Sequence, residues 1–525
     1  MIARGEPPSL AVKPLLAVGG IGNINPIFNA TLDFTDERAV SHPYLAESLP
    51  QLNTESWRVF PDGRMETTYR LKPNLFWHDG TPLAAEDFVF AWRVLAMPAF
   101  GWAGTIPVSA MEEVVAPDAR TVTIRWRQPF PDAGGLIETY QAYPRHILEQ
   151  AFQQGDSESF ANHPYWTHEF VGLGPYRLTH WEPGAAIEAA AFDKYVLGAP
   201  KIERLRIIFV SDANTAVASL LSGEAHIAID YLLMYEQGAI LEREWSGRGG
   251  GTVLFSPILY RNSLFQFRPE MAATPALMDV RFRRALSHAV DMGAINEALV
   301  GGKAVLTPSL LSPQSPDYPA IEGMITKYPH DVRRAQQLLD QVGLAKGNDG
   351  FYVNPNGDPF TFEVRFITNP TQESENAIIV ESFRRLGVNA VSTVIPPAQL
   401  RDGLAVATFS GIHTTGAAGW ERDMGRFSSS QVRRLETRWQ GTNSGGWSNA
   451  EYDRLWDVYN TTLERTERVR QLAQMEKIFT EELPAIPHYY TPIVAAHVAA
   501  LSGPVTRASR DCVEPVHIHL WEWRS

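Results

Sequence analysis

Helix patterns and strand patterns alternate along this chain from about residue 200 to residue 490. Asp331 and Gly343 stand where a helix cap and a helix stop are expected. Between them the apolar positions follow a helical stripe: Val332, Ala335, Leu338, Leu339 and Val342. The segment FTFEVRFI, a helix that ends in RRLG, and the segment VNAVSTVI follow as strand, helix and strand. This order predicts an α/β fold.

The other helices of this region are predicted by the same signals. Asp279 begins a helix over DVRFRRALSHAVD, and Ser448 with Glu451 three residues later forms a capping-box pattern before another. The earlier part of the chain favours strands and turns. MEEVVAPDARTVTIRW predicts a hairpin, and the alternation from Met65 to Leu71 predicts a further strand.

Length, charge and cysteine content restrict the class of protein. A chain of 525 residues is too long for one core, so two or three domains are expected. The net charge of −13 argues against a nucleic-acid binder, although a local arginine cluster still permits an anionic ligand. The single cysteine, Cys512, excludes an internal disulfide and a Cys-x-x-Cys metal site.

The sequence has no uninterrupted apolar run near the roughly 18 residues of a membrane helix. Its first residues, MIARGEPPSLAVKPLL, lack the pattern of a cleavable signal. Two interpretations remain open on these grounds. The protein is cytosolic, or a secretory signal has been removed from a longer chain.

Motifs that carry catalysis or metal binding are missing from the sequence. It has no His-Glu-x-x-His, no phosphate-binding loop and no Gly-x-Ser-x-Gly, and GLGPYR lacks the third glycine of a dinucleotide loop. His517 and His519 would share one face of a predicted strand, but no third ligand is near them in sequence, so packing or solvation is favoured. We therefore predict no catalytic residue, no metal site and no cofactor.

The stretch Trp77-His78-Asp79-Gly80 is the segment most suggestive of chemistry. Its context favours a scaffold instead. Asp79-Gly80 is a turn signal, and Glu86 and Asp87 fall in the first turn of the next helix, where the helix dipole favours acids. Ala84 occupies the predicted cap position of that helix.

Two tryptophans stand in glycine-rich loops, Trp102 in PAFGWAGT and Trp420 in GAAGWERD. Flanking glycines tend to expose a ring, which favours stacking against a ligand. Packing in the core is the alternative for both.

Seven segments in order resemble one family, the extracellular solute-binding proteins of ABC importers in the peptide, opine and nickel group (family 5). They are YLAESLP (44–50), PDGRMETTYRLKPNLFWHDGTPLAAEDFVFAW (61–92), GLGPYRLTHWEPG (172–184), GAPKIERLRIIFVSDANTAVASLLSGEAHIA (198–228), DVRFRRALSHAVD (279–291), WSNAEYDRL (447–455) and LPAIPHYY (483–490). The family usually has Thr or Ser where Ala84 stands.

The resemblance implies a bilobed clamshell of the type II periplasmic-binding-protein class, with mixed sheets flanked by helices and two crossover strands. Lobe I would comprise 1–40, 168–258 and 490–525, a family-specific extra domain 41–167, and lobe II 259–489. Solute would bind in the cleft and hinge closure would bury it.

The same resemblance implies a binding protein and not an enzyme. Its expected partners are a peptide-like or other small organic solute and an ABC permease in the inner membrane, with no nucleic acid. A monomer outside the inner membrane is expected, the signal sequence having been removed. A chemosensing receptor, a hydrolase and a metal or metal-chelate carrier remain as alternatives.

Solute contacts in such proteins come from the first strand and turn, the extra domain, the crossover strands and loops of the second lobe. Carried onto this chain, the ligand-binding candidates are Asn25, Phe28, Asn29, Trp102, Tyr260, Arg261, Asn262, His413, Thr414, Trp420, Arg422, Asp423, Tyr489 and Tyr490. A structural role is the alternative for each of them.

The loop GIHTTGAAGWERDMGRF departs from the family pattern. Peptide-binding members commonly carry an Asp-Pro-Asp type loop whose Asp pairs with the free amine of the peptide. Here Asp423 has no Asp-Pro and is flanked by Arg422 and Arg426. We therefore hypothesise that the solute is not a simple dipeptide, and that an anionic, opine-like or aromatic solute is an alternative.

Overall fold

The computed structural model describes residues 1–15, 23–36, 40–136, 140–247, 249–367, 370–400, 402–418, 421–506 and 515–524; for residues 370, 397, 417, 418, 421, 422 and 516 it describes only the backbone. The chain divides into two compact units. Unit 1 comprises Met1–Ser256 and Ile493–Ser525, and unit 2 comprises Pro257–Pro492. A separate extra domain over 41–167, with the lobe boundaries given above, stays a prediction.

Unit 1 contains two main sheets. Its strands are β1 (Ile2–Ala3), β2 (Asp33–Thr35), β3 (Ser41–Pro43), β4 (Trp57–Val59), β5 (Met65–Arg70), β6 (Met111–Asp118), β7 (Thr121–Trp126), β8 (Tyr176–Glu182), β9 (Ala186–Ala191), β10 (Arg204–Phe209) and β11 (Ile227–Leu233). Its helices are α1 (Asn25–Phe28), α2 (Ala85–Leu95), α3 (Arg145–Gln153), α4 (Ser157–Ala161), α5 (Ala213–Ser222) and α6 (Tyr235–Trp245). The strand orders are β8-β9-β10-β1-β11 and β4-β5-β7-β6. The first sheet is mixed, because β1 pairs in parallel with β10 and β11 while β8, β9 and β10 pair antiparallel.

Strand β12 (Gly251–Phe265) carries the chain into unit 2, and a later strand, β19 (Ala485–Val498), carries it back. Between them lie strands β13 (Val305–Leu306), β14 (Ala345–Lys346), β15 (Tyr352–Val353), β16 (Phe362–Ile367), β17 (Ala390–Ile395) and β18 (Ile412–Ala418). The helices are α7 (Val280–Ala289), α8 (Met292–Val300), α9 (Tyr318–Ile321), α10 (Val332–Val342), α11 (Pro370–Leu386), α12 (Gly403–Ala407), α13 (Ala450–Tyr459) and α14 (Arg465–Glu482). Strands β20 (Leu501–Ser502) and β21 (Glu522–Trp523) follow in unit 1. In unit 2 the order β17-β16-β18-β12 joins parallel and antiparallel pairs.

The predicted helix signals act as side-chain caps. The carboxylate of Asp279 accepts the backbone N–H of Arg281 at 2.8 Å, and that of Asp331 accepts the N–H of Arg334 at 2.9 Å. Gly343 ends α10 with a φ of +87°, which glycine adopts without steric cost. These start and stop predictions are confirmed.

The cap predicted at Ser448 is wrong by one residue. The side chain of Asn449 accepts the N–H groups of Glu451 and Tyr452, both at 2.9 Å. Asn is as good an N-cap as Ser. Two adjacent cap-forming residues therefore left the start of α13 ambiguous.

The Trp77–Gly80 stretch is scaffold, as predicted. The buried ring of His78 accepts the N–H of Gly172 at Nδ1 (3.1 Å), and its Nε2 lies 3.0 Å from the carbonyl of Gly174. Burial lowers the pKa of His78 to about 4, so the ring is neutral and Nε2 carries the donated proton. His78 therefore connects the segment 61–92 with the segment 172–184 through these two hydrogen bonds.

The glycines of GLGPYR are needed for close packing against α1. A Cβ on Gly172 would lie 2.0 Å from the carbonyl oxygen of Phe28, and one on Gly174 would lie 2.4 Å from the backbone nitrogen of Asn29. Any other residue would force α1 away. The motif therefore positions the first predicted contact segment and does not bind phosphate.

The strand predicted around His517 and His519 is wrong, because residues Pro515–Leu520 form a 3-10 helix. The two ring centroids lie 6.0 Å apart. In the part of the chain that the structure describes, no three His, Cys, Asp or Glu side chains are grouped to hold a metal ion. Within the same ranges no helix combines the length and apolarity that spanning a bilayer requires. Cys512 lies outside the described residues.

Ala84 is the N-cap of α2, with an extended backbone and no side-chain acceptor for the first helical N–H groups. We expect Ala84→Thr to raise the free energy of unfolding by about 1 kcal/mol, because the added hydroxyl supplies that acceptor. Denaturant unfolding measures the change. Ala84→Val is the matched control, since it has the shape of threonine without the hydroxyl, and an equal gain from both would contradict the capping explanation.

Candidate functional site

Strands β12 and β18 place the candidate residues of unit 2 on two opposite faces. The register pairs Asn262 with Thr415 and Ser263 with Thr414. Since side chains alternate along a strand, Tyr260, Asn262 and Leu264 share one face while Arg261 and Ser263 lie on the other. The two faces differ in how fully their polar groups are satisfied.

The first face forms a recess that lies wholly within unit 2. The space of about 410 Å³ at this place includes the open solvent at its mouth and is not an enclosed cavity. Its lining residues are Tyr260, Asn262, Leu264, Leu310, Thr415, Asp423, Arg426, Phe427, Thr442 and Asn443. We call this the recess. Three of the predicted ligand-binding residues therefore meet here: Tyr260, Asn262 and Asp423.

Two buried polar atoms in the recess have no hydrogen-bond partner among the described residues. They are the hydroxyl of Tyr260 and Oδ1 of Asn262, on side chains only 2% and 3% exposed. A buried polar atom without a partner costs about 1–3 kcal/mol. By contrast, Asn443 is satisfied, because it donates to the carbonyl of Trp447 at 2.8 Å and accepts from the N–H of Gly446 at 3.0 Å. The unpaired atoms thus identify the part of the recess that is suited to a ligand.

Arg426 brings a positive charge to the same recess. Its Nη1 lies 4.0 Å from Oδ1 of Asp423, which is too long for a hydrogen bond. The side chain is still 34% exposed, although the surrounding atoms desolvate it enough to lower the pKa of its guanidinium. An arginine remains charged at neutral pH even so.

The opposite face carries a closed hydrogen-bond network around Glu375 of α11. This carboxylate forms a buried ion pair with Arg261 and accepts hydrogen bonds from Nδ1 of His488 at 2.9 Å and the hydroxyl of Tyr489 at 2.8 Å. Burial opposes its ionisation, but the charge of Arg261 prevails and lowers the pKa of Glu375 to about 2. Arg261 and Tyr489, two predicted ligand contacts, are therefore engaged within the protein.

The network continues through Ser263 to the next strand. Ser263 Oγ lies 3.0 Å from Nε2 of His488 and 2.9 Å from Oγ1 of Thr414, which in turn donates to Asn376 at 3.0 Å. Thr414, also predicted as a ligand contact, is thus a network member.

Ser263, His488 and Glu375 reproduce the distances of a nucleophile, base and acid in a hydrolase. Their exposed fractions are 0%, 1% and 0%, so no substrate reaches the serine in this structure. The carboxylate also balances Arg261, and the serine is shared with Thr414. This arrangement supports a structural role for the network.

Among the candidates of unit 1, Asn25 and Asn29 belong to a separate buried group around Gln141. Gln141 donates to Oδ1 of Asn25 at 2.7 Å and accepts from Nδ2 of Asn29 at 3.1 Å. Both asparagines also approach the carbonyl of Leu10. Oδ1 of Asn29 has no partner within the described ranges, whereas Phe28 is wholly buried.

Trp102 is not exposed by its flanking glycines. It is 2% exposed, and its indole N–H donates to the carbonyl of Lys13 at 3.0 Å. The expectation of an exposed ring at this position is therefore wrong, and solute contact by Trp102 stays a prediction. Trp420 and the side chain of Arg422 lie outside the described residues.

The remaining candidates are buried in unit 2. Tyr490 packs against Tyr260 with ring centroids 5.4 Å apart, and its hydroxyl donates to the carbonyl of Leu310. His413 is 3% exposed, and neither ring nitrogen has a partner in the described chain. Burial lowers its pKa to about 4, so the ring is neutral.

Residues that the sequence did not single out complete both faces. In the recess they include Leu310, Phe427 and Thr442, and in the network they include Glu375 and His488. The spacing of Arg426 three residues after Asp423 was a signal for the recess. No sequence signal indicated a buried role for Glu375, because an acidic residue on a helix is ordinarily solvated.

Replacing Glu375 tests the network. Glu375→Gln leaves the guanidinium of Arg261 buried without a counter-charge, so we expect it to lower the free energy of unfolding by about 3–5 kcal/mol. Denaturant unfolding measures the loss. The control is Glu381→Gln on the same helix, whose ion pair with Arg385 is largely exposed and contributes about 0–1 kcal/mol. Similar losses from both variants would contradict this account of the network.

Glu476 of α14 should make stability depend on pH. Burial raises its pKa from 4.5 to about 7, while it accepts the backbone N–H groups of Leu310 and Leu311. The folded protein therefore keeps a proton that the unfolded chain releases. The resulting stabilisation, about 3 kcal/mol, is complete below pH 4.5 and is lost as the pH rises through about 7.

We expect Glu476→Gln to flatten this part of the profile of unfolding free energy against pH between 4.5 and 7. Glu481→Gln, an exposed position on the same helix, should leave the profile unchanged. A wild-type profile that rises with pH and keeps its shape in Glu476→Gln would refute the assignment.

Comparison with known proteins places the chain in one family. The model of the bacterial extracellular solute-binding proteins, family 5 (middle part), matches residues 47–429. A candidate ABC transporter peptide-binding protein of Brucella ovis is 25% identical over 411 residues, which cover 74% of this chain and 71% of that relative. The oligopeptide-binding protein AppA of Bacillus subtilis is 22% identical over 526 residues, covering 94% and 90%.

Solved structures agree on the fold. NikZ from Campylobacter jejuni, in complex with Ni(L-His), has a TM-score of 0.76 and 21% identity, and the match covers 99% of this chain and 98% of that chain. The α/β fold predicted from the sequence, of the type II periplasmic-binding-protein class, is confirmed. Since the family model spans more than half of the chain, the protein belongs to family 5 of the bacterial extracellular solute-binding proteins.

Proposed function

We propose that this protein captures a peptide-like or other small organic solute outside the inner membrane and delivers it to the permease of an ABC importer. Family membership supports a role in binding and transport. The observation that carries the proposal is the recess, where Arg426 and two buried polar atoms, unpaired among the described residues, face a partly apolar space. An interlobe cleft closed by a hinge stays a prediction.

The contrast between the two faces supports binding and not catalysis. A receptor needs polar groups that are not already hydrogen-bonded within the protein. The Tyr260 hydroxyl and Asn262 Oδ1 have no such partner among the described residues. The hydrolase-like distances noted above belong to side chains sealed from solvent. We therefore propose that the protein has no enzymatic activity of its own.

The partners and the oligomeric state of the protein are inferred from its net charge and from its family. A net charge of −13 disfavours nucleic acid as a partner. A monomer is proposed by analogy with the expected family behaviour. Presentation of the solute to a chemosensor is the second candidate within the binding class, and adjacent permease and ATPase genes would favour import.

Native mass spectrometry of the purified protein tests solute capture, because a receptor of this kind is expected to retain its solute. A thermal-shift screen of peptides, amino-acid derivatives and metal chelates is the companion measurement. A solute at 100 times its Kd should add about 2.7 kcal/mol of stability. Turnover of chromogenic esters, peptides or glycosides, without stabilisation by any compound, would refute the proposal.

The departure at Asp423 gives a more specific expectation. Since Arg426 lies beside this carboxylate, we expect no tight binding of plain dipeptides with a free amine. Calorimetry with a dipeptide panel measures this. Tight binding that Asp423→Ala abolishes would contradict the hypothesis.

A further inference from the structure

The recess has the chemistry of a site for an anion. Of its charged lining residues, Asp423 and Arg426, the first is engaged by contacts beyond its 4.0 Å approach to Arg426. The side chain of Arg426, in contrast, is 34% exposed, and its guanidinium donates no hydrogen bond to any described residue. A guanidinium offers five N–H donors in a planar fork. The N–H donors of Arg426 are therefore available to a ligand group that accepts hydrogen bonds and carries a negative charge.

A second donor lies on the wall of the recess. Tyr260 is 2% exposed and its hydroxyl has no partner among the described side chains. Burial, with the charge of Glu476 adding to it, raises the pKa of Tyr260 well above its ordinary value, although the charge of Arg426 opposes the rise in part. The phenol thus keeps its proton and can donate it. Oδ1 of Asn262, two residues along the same face, can accept an N–H from the same ligand.

The apolar part of the lining restricts the kind of anion. Leu264, Leu310 and Phe427 line the recess beside these polar groups and are 8%, 7% and 6% exposed. The little of these side chains that stays exposed is carbon, so a ligand that carries an apolar body beside its charge suits this lining better than a free inorganic ion. The planar fork of an arginine also matches a carboxylate with two parallel hydrogen bonds.

We propose that the recess binds a carboxylate group of the solute, with Arg426 as the ion-pairing donor and the Tyr260 hydroxyl as a second donor. This inference rests on the proposed function, since it names the class of solute: an organic acid with an apolar body next to the carboxylate. An N–H close to the carboxylate, as in an N-substituted amino acid, would use Asn262. Arg426 is then a specificity-determining residue of the receptor.

Matched acids and amides test the proposal directly. The probes are benzoate with benzamide, and N-acetylphenylalanine with its carboxamide, titrated by calorimetry and thermal shift at millimolar concentration. We expect the acids to bind and the amides to bind at least about tenfold more weakly, since the amide carries no charge for the guanidinium. Equal binding of both members of each pair, or binding of neither acid, would overturn the carboxylate site.

Substitutions in the recess test which side chains bind the acid. Arg426→Gln should weaken acid binding by about tenfold or more and leave the amides unchanged, while Arg426→Lys should restore part of it by keeping the charge. Arg434→Gln, an exposed arginine of the same segment, is the control and should bind like wild type. Tyr260→Phe removes only the hydroxyl and should weaken the acids by a smaller factor. Undiminished acid binding in Arg426→Gln would overturn the proposal.

Two further experiments distinguish a failure of the carboxylate site from a failure of the proposed function. Inorganic phosphate and phenyl phosphate serve as probes of a phosphate site, and their binding in preference to benzoate would overturn the carboxylate assignment. A neutral solute that native mass spectrometry finds retained by both wild type and Arg426→Gln would overturn it as well, while the receptor role would stand. Turnover without any bound solute would instead remove the proposed function.

Discussion

The buried ion pair between Arg261 and Glu375 is the contact around which the polar interior of unit 2 is arranged. Both side chains are almost fully withdrawn from water, so each depends on the other to offset the cost of desolvation. His488 and Tyr489 of β19 donate to the same carboxylate. The pair therefore connects β12, α11 and β19, and Ser263 extends the connection to β18.

This network lies on the opposite side of β12 from the recess. Arg261 and Ser263 are held on one side of β12, and the alternation of side chains then directs Tyr260 and Asn262 to the other. Around Glu375 the polar groups are paired. Among the described residues, the other face has buried polar atoms without partners and an arginine that donates no hydrogen bond. The groups of the satisfied face have no hydrogen-bonding capacity left for a ligand, whereas the other face offers a donor and an acceptor that a ligand can use.

Several features were predictable because they depend on neighbours in sequence. The caps at Asp279 and Asp331 act within one helical turn. Predictions failed where the signal was short or the surroundings decided. The His-Ile-His pattern near the end of the chain was too short to define a strand, and the glycines beside Trp102 did not prevent its burial. Thr414 has the polar side chain of a ligand contact, yet it donates to Asn376 of α11, which no local pattern connects with it.

The sequence by itself determined the α/β class, the positions of several helices and strands, and the ordered motifs that belong to the family. These follow from periodicity, capping and turn chemistry, which act over a few residues. Only the tertiary structure decided which polar side chains are already paired. Glu375 lies more than a hundred residues from both Arg261 and His488 in sequence, and Arg426 lies even farther from Tyr260. Pairing and desolvation depend on such distant contacts, so the division between scaffold and binding recess becomes visible only in the folded chain.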